Sequence, residues 1–260
     1  MNIAVCVKQS IDTEAVITLD DQGQVVTEGA ALIIDPYAEF AVERAIQLKE
    51  EHGGEVVVVA VGDDESTPAI RHALSMGADR AVLIDDAAID QTNPQAKARV
   101  LAAALKTLNP DLIMGGTKSG DTSRAQTLPR IATILGMPQV SLVVEANLEG
   151  ESLAVSHETD DGLEKFSVAL PAVIAAQQGL AEPRYPNVRD IMKSKKKPID
   201  KMTLADLGLP ASEVDSSIRQ VAVQSYALKP ERKGGRIVEG ETADAVKETA
   251  SLLRSEAKVL

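Results

Sequence analysis

The chain has 260 residues and a formal net charge of −12, from 27 lysines and arginines against 39 aspartates and glutamates. This balance argues against nucleic acid as a partner, because phosphate backbones are bound by clustered cations. Three tyrosines, two phenylalanines and no tryptophan leave little surface on which a base or a flavin ring could stack. The single cysteine excludes an internal disulfide framework and a thiolate zinc site.

The length suits one large α/β domain, or one domain with an extension. No apolar run approaches the roughly 20 residues that a membrane-spanning helix needs. Met1 leads directly into an apolar strand, with no basic leader or cleavage site before it. We therefore expect a soluble cytoplasmic protein.

The first part of the chain alternates apolar strands with helices. We predict strands at 3–7, 56–61, 81–84, 112–114 and 140–144, and a small hairpin formed by 16–19 and 25–26. An Asp-Pro, a Thr-Pro and an Asn-Pro pair open three helices, since the first residue caps free amides and proline fits the first turn. The predicted helices cover 36–52, 67–76, 94–108 and 124–135, and three of them end at glycines.

This alternation predicts a doubly wound, mostly parallel α/β sheet. Ligands of such sheets bind beyond the carboxyl ends of the strands, where the strand order reverses. The loops of interest are therefore 8–12, 34–37, 61–66 and 115–127. The last of these is rich in glycine, serine and threonine and leads into a helix, so it could hold a phosphate.

The second part of the chain differs in pattern. Segments 153–157 and 166–170 indicate an antiparallel pair, and 172–176 a further buried strand. Beyond residue 198 we find only a helical turn at 203–207, extended chain at 220–227 and a helix at 242–254. We therefore divide the chain into an α/β domain at 1–200 and an extended C-terminal arm at 201–260. The arm has little core potential and should pack on another subunit.

The sequence holds no constellation of catalytic groups. The stretch 116–122 is similar to a phosphate-binding P-loop, but Asp121 stands where the essential lysine is required. A G-x-G-x-x-G fingerprint is absent, and the three histidines are scattered. Cys6 lies within a strand, where a small core residue is expected rather than a nucleophile. The sequence is therefore typical of a binding scaffold, with no metal site.

Several stretches, in order along nearly the whole chain, resemble the electron transfer flavoprotein β subunit. They are Val5-Cys6-Val7-Lys8, Asp35-Pro36-Tyr37, Ala73-Leu74-Ser75-Met76-Gly77-Ala78-Asp79-Arg80, His157-Glu158-Thr159-Asp160-Asp161-Gly162-Leu163-Glu164, Leu170-Pro171-Ala172-Val173-Ile174, Glu182-Pro183-Arg184-Tyr185 and Ile191-Met192-Lys193-Ser194-Lys195-Lys196-Lys197. The ordered set is specific to that family.

The resemblance implies an electron carrier subunit rather than an enzyme, in a heterodimer with an α subunit that holds most of the FAD. Electrons would pass from flavin dehydrogenases to a membrane quinone oxidoreductase or another acceptor. The implied fold is of the adenine-nucleotide α-hydrolase-like (Rossmann-like) type, with a structural AMP in this subunit. Two alternatives stay open: an electron-bifurcating flavoprotein with a second FAD in the adenylate site, and a free-standing adenine-nucleotide-binding protein.

The resemblance also implies the site residues. For the nucleotide these are Cys6, Asp35, Pro36, Tyr37, Ala38, Val61, Gly116, Asp121, Thr122, Ser123, Arg124, Ala125, Gln126 and Thr127. Tyr37 would also approach the flavin of the partner subunit. Glu158 and His157 would meet the α subunit. The segment 184–197 would dock client dehydrogenases, with Val188 as an apolar anchor beside Arg184, Tyr185, Ile191, Met192, Lys193, Lys195 and Lys196.

Four residues depart from the family pattern. His157 replaces an arginine or lysine, and Asp161 replaces a glycine, so the positive charge of this turn is reduced. Asp35 replaces a common asparagine before the proline, and Ala125 replaces an asparagine in the nucleotide loop. Because histidine titrates near neutrality, we expect electron transfer to depend on pH through His157.

Overall fold

The computed structural model describes residues 1–230 and 234–260. The strands, in chain order, are β1 (Asn2–Cys6), β2 (Gln9–Ile11), β3 (Leu32–Ile34), β4 (Glu55–Val61), β5 (Arg80–Ile84), β6 (Leu112–Gly116), β7 (Gln139–Glu149), β8 (Ser152–Thr159), β9 (Gly162–Ala169), β10 (Ala172–Ala176) and β11 (Ile199–Met202). The helices are α1 (Pro36–His52), α2 (Thr67–Met76), α3 (Pro94–Leu108), α4 (Thr127–Leu135), α5 (Val188–Ser194) and α6 (Thr242–Leu252).

Nine strands form one sheet in the order β11-β5-β4-β1-β6-β10-β7-β8-β9. Neighbours from β11 to β7 are parallel, and β8 and β9 extend the sheet as an antiparallel hairpin. From β1 the chain winds outward through α1 and α2 to β5, and then α3 returns it to β6 on the other side of β1. The strand order therefore reverses between β1 and β6, which confirms the predicted fold class.

The core has two layers, one on each face of the sheet. Alternate residues of each strand point to opposite faces, so Ile3 and Val5 pack under α1 and α2, while Ala4 packs under α3 and α4. The central strands β1, β4, β5, β6 and β10 are covered on both faces, which explains their continuous apolar runs. No helix in the described ranges is both long and apolar enough to cross a membrane.

Most predicted helices are found with their predicted ends, because their caps are local. The Asp35 carboxylate accepts a hydrogen bond from the Tyr37 amide (3.1 Å), and Pro36 is the first residue of α1. Helix α4 is the exception: it begins at Thr127 rather than at Arg124. Ser123 and Ala125 have φ of 47° and 50°, a left-handed backbone that a helix cannot contain.

The predicted hairpin at 16–19 and 25–26 forms only in part: Leu19 and Val25 make an antiparallel bridge, flanked by hydrogen bonds from the Val26 amide to the Thr18 carbonyl oxygen (3.0 Å) and from the Asp20 amide to the Gln24 carbonyl oxygen (2.9 Å). The Asp20 carboxylate accepts hydrogen bonds from the Gln22 and Gln24 amides and closes a local turn. Val16 is 89% exposed, so no sheet covers these residues. Strands β2 and β3 form a separate small antiparallel sheet in this region.

The first part of the arm lies on the α/β domain. Strand β11 crosses the predicted boundary after residue 200 and pairs with β5, and both Leu204 and Val214 are buried against the α3 face. The domain thus continues to about Arg219. The distal part differs, because α6 and the π-helical turn after it (Leu253–Ala257) bury none of their residues. That this part packs on another subunit stays a prediction.

Candidate functional site

A cavity of about 620 Å³ opens at the carboxyl ends of β1, β4 and β6. It therefore lies at the switch point, where Cys6 at the end of β1 pairs with Gly115 of β6. The first turns of α3 and α4 and the loop before α4 form its remaining walls. Its volume is within the range of about 300–1,000 Å³ that is usual for small-molecule and cofactor sites.

The cavity brings together most of the residues expected at the nucleotide site. Those lining it are Cys6, Asp35, Ala38, Val61, Gly116, Asp121, Thr122, Arg124, Ala125, Gln126 and Thr127. Pro36, Tyr37 and Ser123 do not line it. The Tyr37 ring packs edge-on against Phe40, with Lys118 Nζ 5.2 Å from the ring centroid.

Asp35 holds the loop between β6 and α4 in place through a hydrogen bond to its backbone. This side chain is buried and accepts hydrogen bonds from the amides of Gly120 (2.7 Å) and Tyr37 (3.1 Å). Burial raises the pKa of the Asp35 carboxyl, although these two hydrogen bonds act in the opposite direction. At the start of the loop, Gly116 leaves no room for a side chain, since a Cβ there would lie 2.6 Å from Tyr37 Cβ.

A second link joins the loop to the end of β1. Lys8 Nζ donates to the Asp121 carboxylate at 2.5 Å and to Ser119 Oγ at 3.4 Å. Desolvation alone would raise the pKa of Asp121, but the hydrogen bonds from Lys8 and Ser119 outweigh it and lower the pKa. The Asp121 that excluded a P-loop is thus an ionised residue that holds Lys8 at the cavity wall.

Two further cations line the cavity. Arg124 Nη1 donates to the Thr92 carbonyl oxygen at 2.8 Å. Lys97 is half-buried in α3, and burial lowers its pKa to about 8, with the charge of Lys8 adding to the effect. The N-terminus of α4 also faces this space, and Gln126 provides no side-chain cap for its amides. Free helix amides and cations together form an anion-binding environment.

Three titratable side chains of the cavity are neutral or already paired. Burial raises the pKa of the Cys6 thiol to about 12, so this cysteine is not a thiolate at neutral pH. Asp121 is committed to Lys8, and Asp35 is committed to backbone amides.

The expected list of site residues lacked several that line the cavity, among them Lys8, Lys97 and the arm residues near Tyr226. Lys8 directly follows β1 and was predictable from the position of its loop. For Lys97 the available signal was a cation close to a helix N-terminus, where the helix dipole disfavours it. The arm residues carry no local signal, because they reach the cavity from about 100 residues further along the chain.

The expected docking segment, 184–197, is fixed at both ends. Arg184 forms ion pairs with Glu43 (2.9 Å) and Glu50 (2.7 Å) of α1, and hydrogen bonds to both carboxylates raise its pKa. At the other end, Lys197 donates to carbonyl oxygens at the end of α2, and Arg71 donates to the carbonyls of residues 194 and 197. Arg184 and Lys197 therefore hold the segment in place.

Between these anchors the segment forms α5, which the sequence did not predict because it has only seven residues. The apolar side chains of the segment 184–197 face solvent: Tyr185, before α5, is 97% exposed, and on α5 Val188 is 78%, Met192 57% and Ile191 45% exposed. Lys193, Lys195 and Lys196 are exposed beside them. An apolar patch with a basic rim on a fixed segment is typical of an interaction surface.

The two residues expected to face the α subunit lie on β8. Glu158 accepts a hydrogen bond from Gln177 Nε2 at 3.0 Å. His157 Nδ1 lies 2.5 Å from the Ser141 carbonyl oxygen, and its ring packs edge-on against Phe166. That this histidine governs a pH dependence stays a prediction.

Fold and site together define a doubly wound α/β protein with a cation-lined cavity at its switch point. Residues 22–207 match the family model described as the electron transfer flavoprotein domain. The chain is 39% identical over 263 residues to the electron transfer flavoprotein subunit beta of Bacillus subtilis (strain 168), which covers 100% of both chains.

The same subunit of Syntrophomonas wolfei subsp. wolfei is 40% identical over 261 residues, which cover 100% of this chain and 98% of the relative. The Homo sapiens subunit is 36% identical over 243 residues, or 92% and 93% of the two chains. The chain belongs to the electron transfer flavoprotein β-subunit family, as the resemblance implied.

Proposed function

We propose that this chain is the β subunit of a heterodimeric electron transfer flavoprotein and that its cavity holds a structural AMP. The observation that carries the AMP proposal is the cavity at the switch point, where Lys8, Lys97 and Arg124 meet the uncapped N-terminus of α4. The FAD would lie mainly on the α subunit, and this flavin supplies the electron-transfer chemistry when bound. The β subunit would position it.

The residues present fit an adenine nucleotide. The cations and the free amides of α4 suit a phosphate, and Ala38, Val61 and Leu101 provide apolar surface for a base. The cavity is large enough for a mononucleotide. An FAD in the same cavity, as in a bifurcating flavoprotein, would use the same adenylate and phosphate groups.

Cofactor extraction from the copurified heterodimer tests the proposal. We expect one FAD and one AMP per heterodimer after denaturation, measured by chromatography against standards. Two FAD per heterodimer would instead support the bifurcating alternative. A stable monomer that binds adenine nucleotide and copurifies with no flavin-bearing partner would support the free-standing nucleotide-binding protein.

We also propose that the segment 184–197 docks flavin dehydrogenases before electrons pass to a quinone oxidoreductase or another acceptor. The support is structural: α5 exposes Val188, Ile191 and Met192, and the Arg184 and Lys197 contacts keep this surface in one place. Charge around the apolar patch would steer an acidic partner.

AMP affinity should fall as pH rises through about 8, because Lys97 then loses its proton. Below that pH the ammonium is present and attracts the phosphate. Above it, binding must take up a proton, so Kd rises by up to about tenfold per pH unit. Calorimetric titration of nucleotide-depleted heterodimer with AMP between pH 7 and 9.5 measures this slope.

Lys97→Met should bind AMP more weakly at pH 7 and lose the slope. Lys106→Met is the matched control, since Lys106 is exposed on the same helix and lies outside the cavity. A wild-type Kd that does not change across this range would contradict a role for Lys97 in phosphate binding.

A further inference from the structure

The arm is attached to the α/β domain just before it reaches the cavity. Val214 is fully buried, and its carbonyl oxygen accepts a hydrogen bond from the Asp90 amide (2.9 Å). Arg99 Nη1 donates to the Glu213 carbonyl oxygen at 3.0 Å. The chain around residue 214 is therefore held against the α3 face, and the next residues of the arm start from a fixed point.

An ion pair between the exposed Arg219 and the buried Asp90 fixes the next few residues. Arg219 donates to the Asp90 carboxylate from Nε (2.9 Å) and from Nη2 (2.8 Å). The Asp90 side chain is only 4% exposed and also accepts two hydrogen bonds from Thr92. Since leaving the buried Asp90 carboxylate without its cation is costly, this contact defines where the arm leaves the domain.

From Arg219 the arm segment 219–226 passes along the cavity. Val221, Ala222, Val223 and Tyr226 line it together with the β6–α4 loop. Val221 is 72%, Val223 50% and Tyr226 46% exposed, so these side chains are partly open to solvent at the cavity wall. They form an apolar wall in a cavity whose phosphate end is cationic.

Tyr226 is the one aromatic side chain that lines the cavity within residues 1–230 and 234–260. The low aromatic content of the chain leaves no second ring there for a base to stack on. Adenine has a flat π-surface, so stacking on an aromatic side chain gives it a strong contact. Val221 and Val223 extend that wall.

We propose that the arm segment 219–226 completes the nucleotide site and that Tyr226 stacks on the adenine ring. This inference rests on the proposed nucleotide site. In this proposal the arm segment 219–226 binds the ligand within this subunit, and the distal part of the arm, with α6, contacts the partner. The ligand chemistry is an adenine ring, whether it belongs to AMP or to a second FAD; cofactor extraction distinguishes the two.

The test measures Kd by calorimetry on nucleotide-depleted heterodimer, with AMP, adenosine and ribose 5-phosphate as probes. Tyr226→Ala should raise Kd about tenfold for both AMP and adenosine, the size expected of a lost base–aromatic stack. The Kd for ribose 5-phosphate should not change. Tyr226→Phe keeps the ring and should remain within about threefold of the wild type.

Leu228→Ala is the matched control, because Leu228 is an exposed apolar residue of the same arm outside the cavity. Equal Kd values for Tyr226→Ala and Leu228→Ala would overturn the inference and leave the AMP proposal intact. An equal loss in Tyr226→Phe and Tyr226→Ala would also overturn it, since the hydroxyl would then be the contact. Wild-type heterodimer that binds none of the probes would overturn the nucleotide site itself.

Discussion

Gly116→Ala should lower the affinity of the heterodimer for AMP by at least tenfold. A Cβ at this position would lie 2.6 Å from Tyr37 Cβ and 2.9 Å from the Lys118 carbonyl oxygen and the Tyr37 carbonyl carbon. Two of these atoms belong to the backbone, so either the β6–α4 loop or the first turn of α1 must move. Overpacking of this kind also destabilises a domain by about 1–3 kcal/mol. Calorimetric titration with AMP and urea unfolding measure the two effects.

Gly120→Ala is the control for this substitution, because it lies in the same loop but has more room. Its Cβ would lie 3.3 Å from Thr13 Cγ2, the methyl group of a side chain, and 3.7 Å from Asp35 Oδ2. We expect its AMP affinity to stay within about threefold of the wild type. If both variants bound AMP as the wild type does, the loop would not be part of the nucleotide site.

Arg184→Ala should lower the free energy of unfolding by about 3 kcal/mol. The Glu43 side chain is only 3% exposed and would lose its ion-pair partner. Loss of one partner of a buried pair typically costs about 3–5 kcal/mol; we expect the lower end, because 36% of the Arg184 side chain is exposed. The urea midpoint should fall with little change in the denaturant slope.

The same substitution should also slow electron transfer from the client dehydrogenase, because the docking segment loses its N-terminal anchor. Arg189→Ala is the stability control, because Arg189 is exposed on α5. This variant should differ from the wild type in free energy of unfolding by less than about 0.5 kcal/mol. Equal stability of the two variants would show that the Arg184–Glu43 pair does not hold the segment.

The sequence predicts features that depend on neighbouring residues. Helix α1 has its predicted ends because Asp35 and Pro36 open it and Gly53 closes it, all within the local chain. The position of the cavity was also predictable, because the alternation of strands and helices determines where the strand order reverses. Gly116 lies in one of the loops that this rule selects, whereas Cys6 was expected at the site only from the family resemblance.

Features that depend on distant residues were not predictable. Strand β11 has a short polar sequence and becomes a strand only because β5 offers it an edge. The Arg219–Asp90 pair joins residues 129 positions apart, and no local pattern marks it. The start of α4 was misplaced for a different reason, since the left-handed backbone of Ser123 and Ala125 has no glycine to signal it.

Strand β11 also protects the molecule against self-association. By pairing with β5 it replaces a largely apolar five-residue edge with an edge of four residues that exposes Asp200 and Lys201, and short charged edges resist strand-by-strand aggregation. A chain cut after residue 200 keeps only half of this cover, Ile199 and Asp200, and would aggregate whether or not the arm binds a partner. A truncation that isolates the distal arm must therefore begin beyond Arg219, so that β11 remains whole as the edge strand.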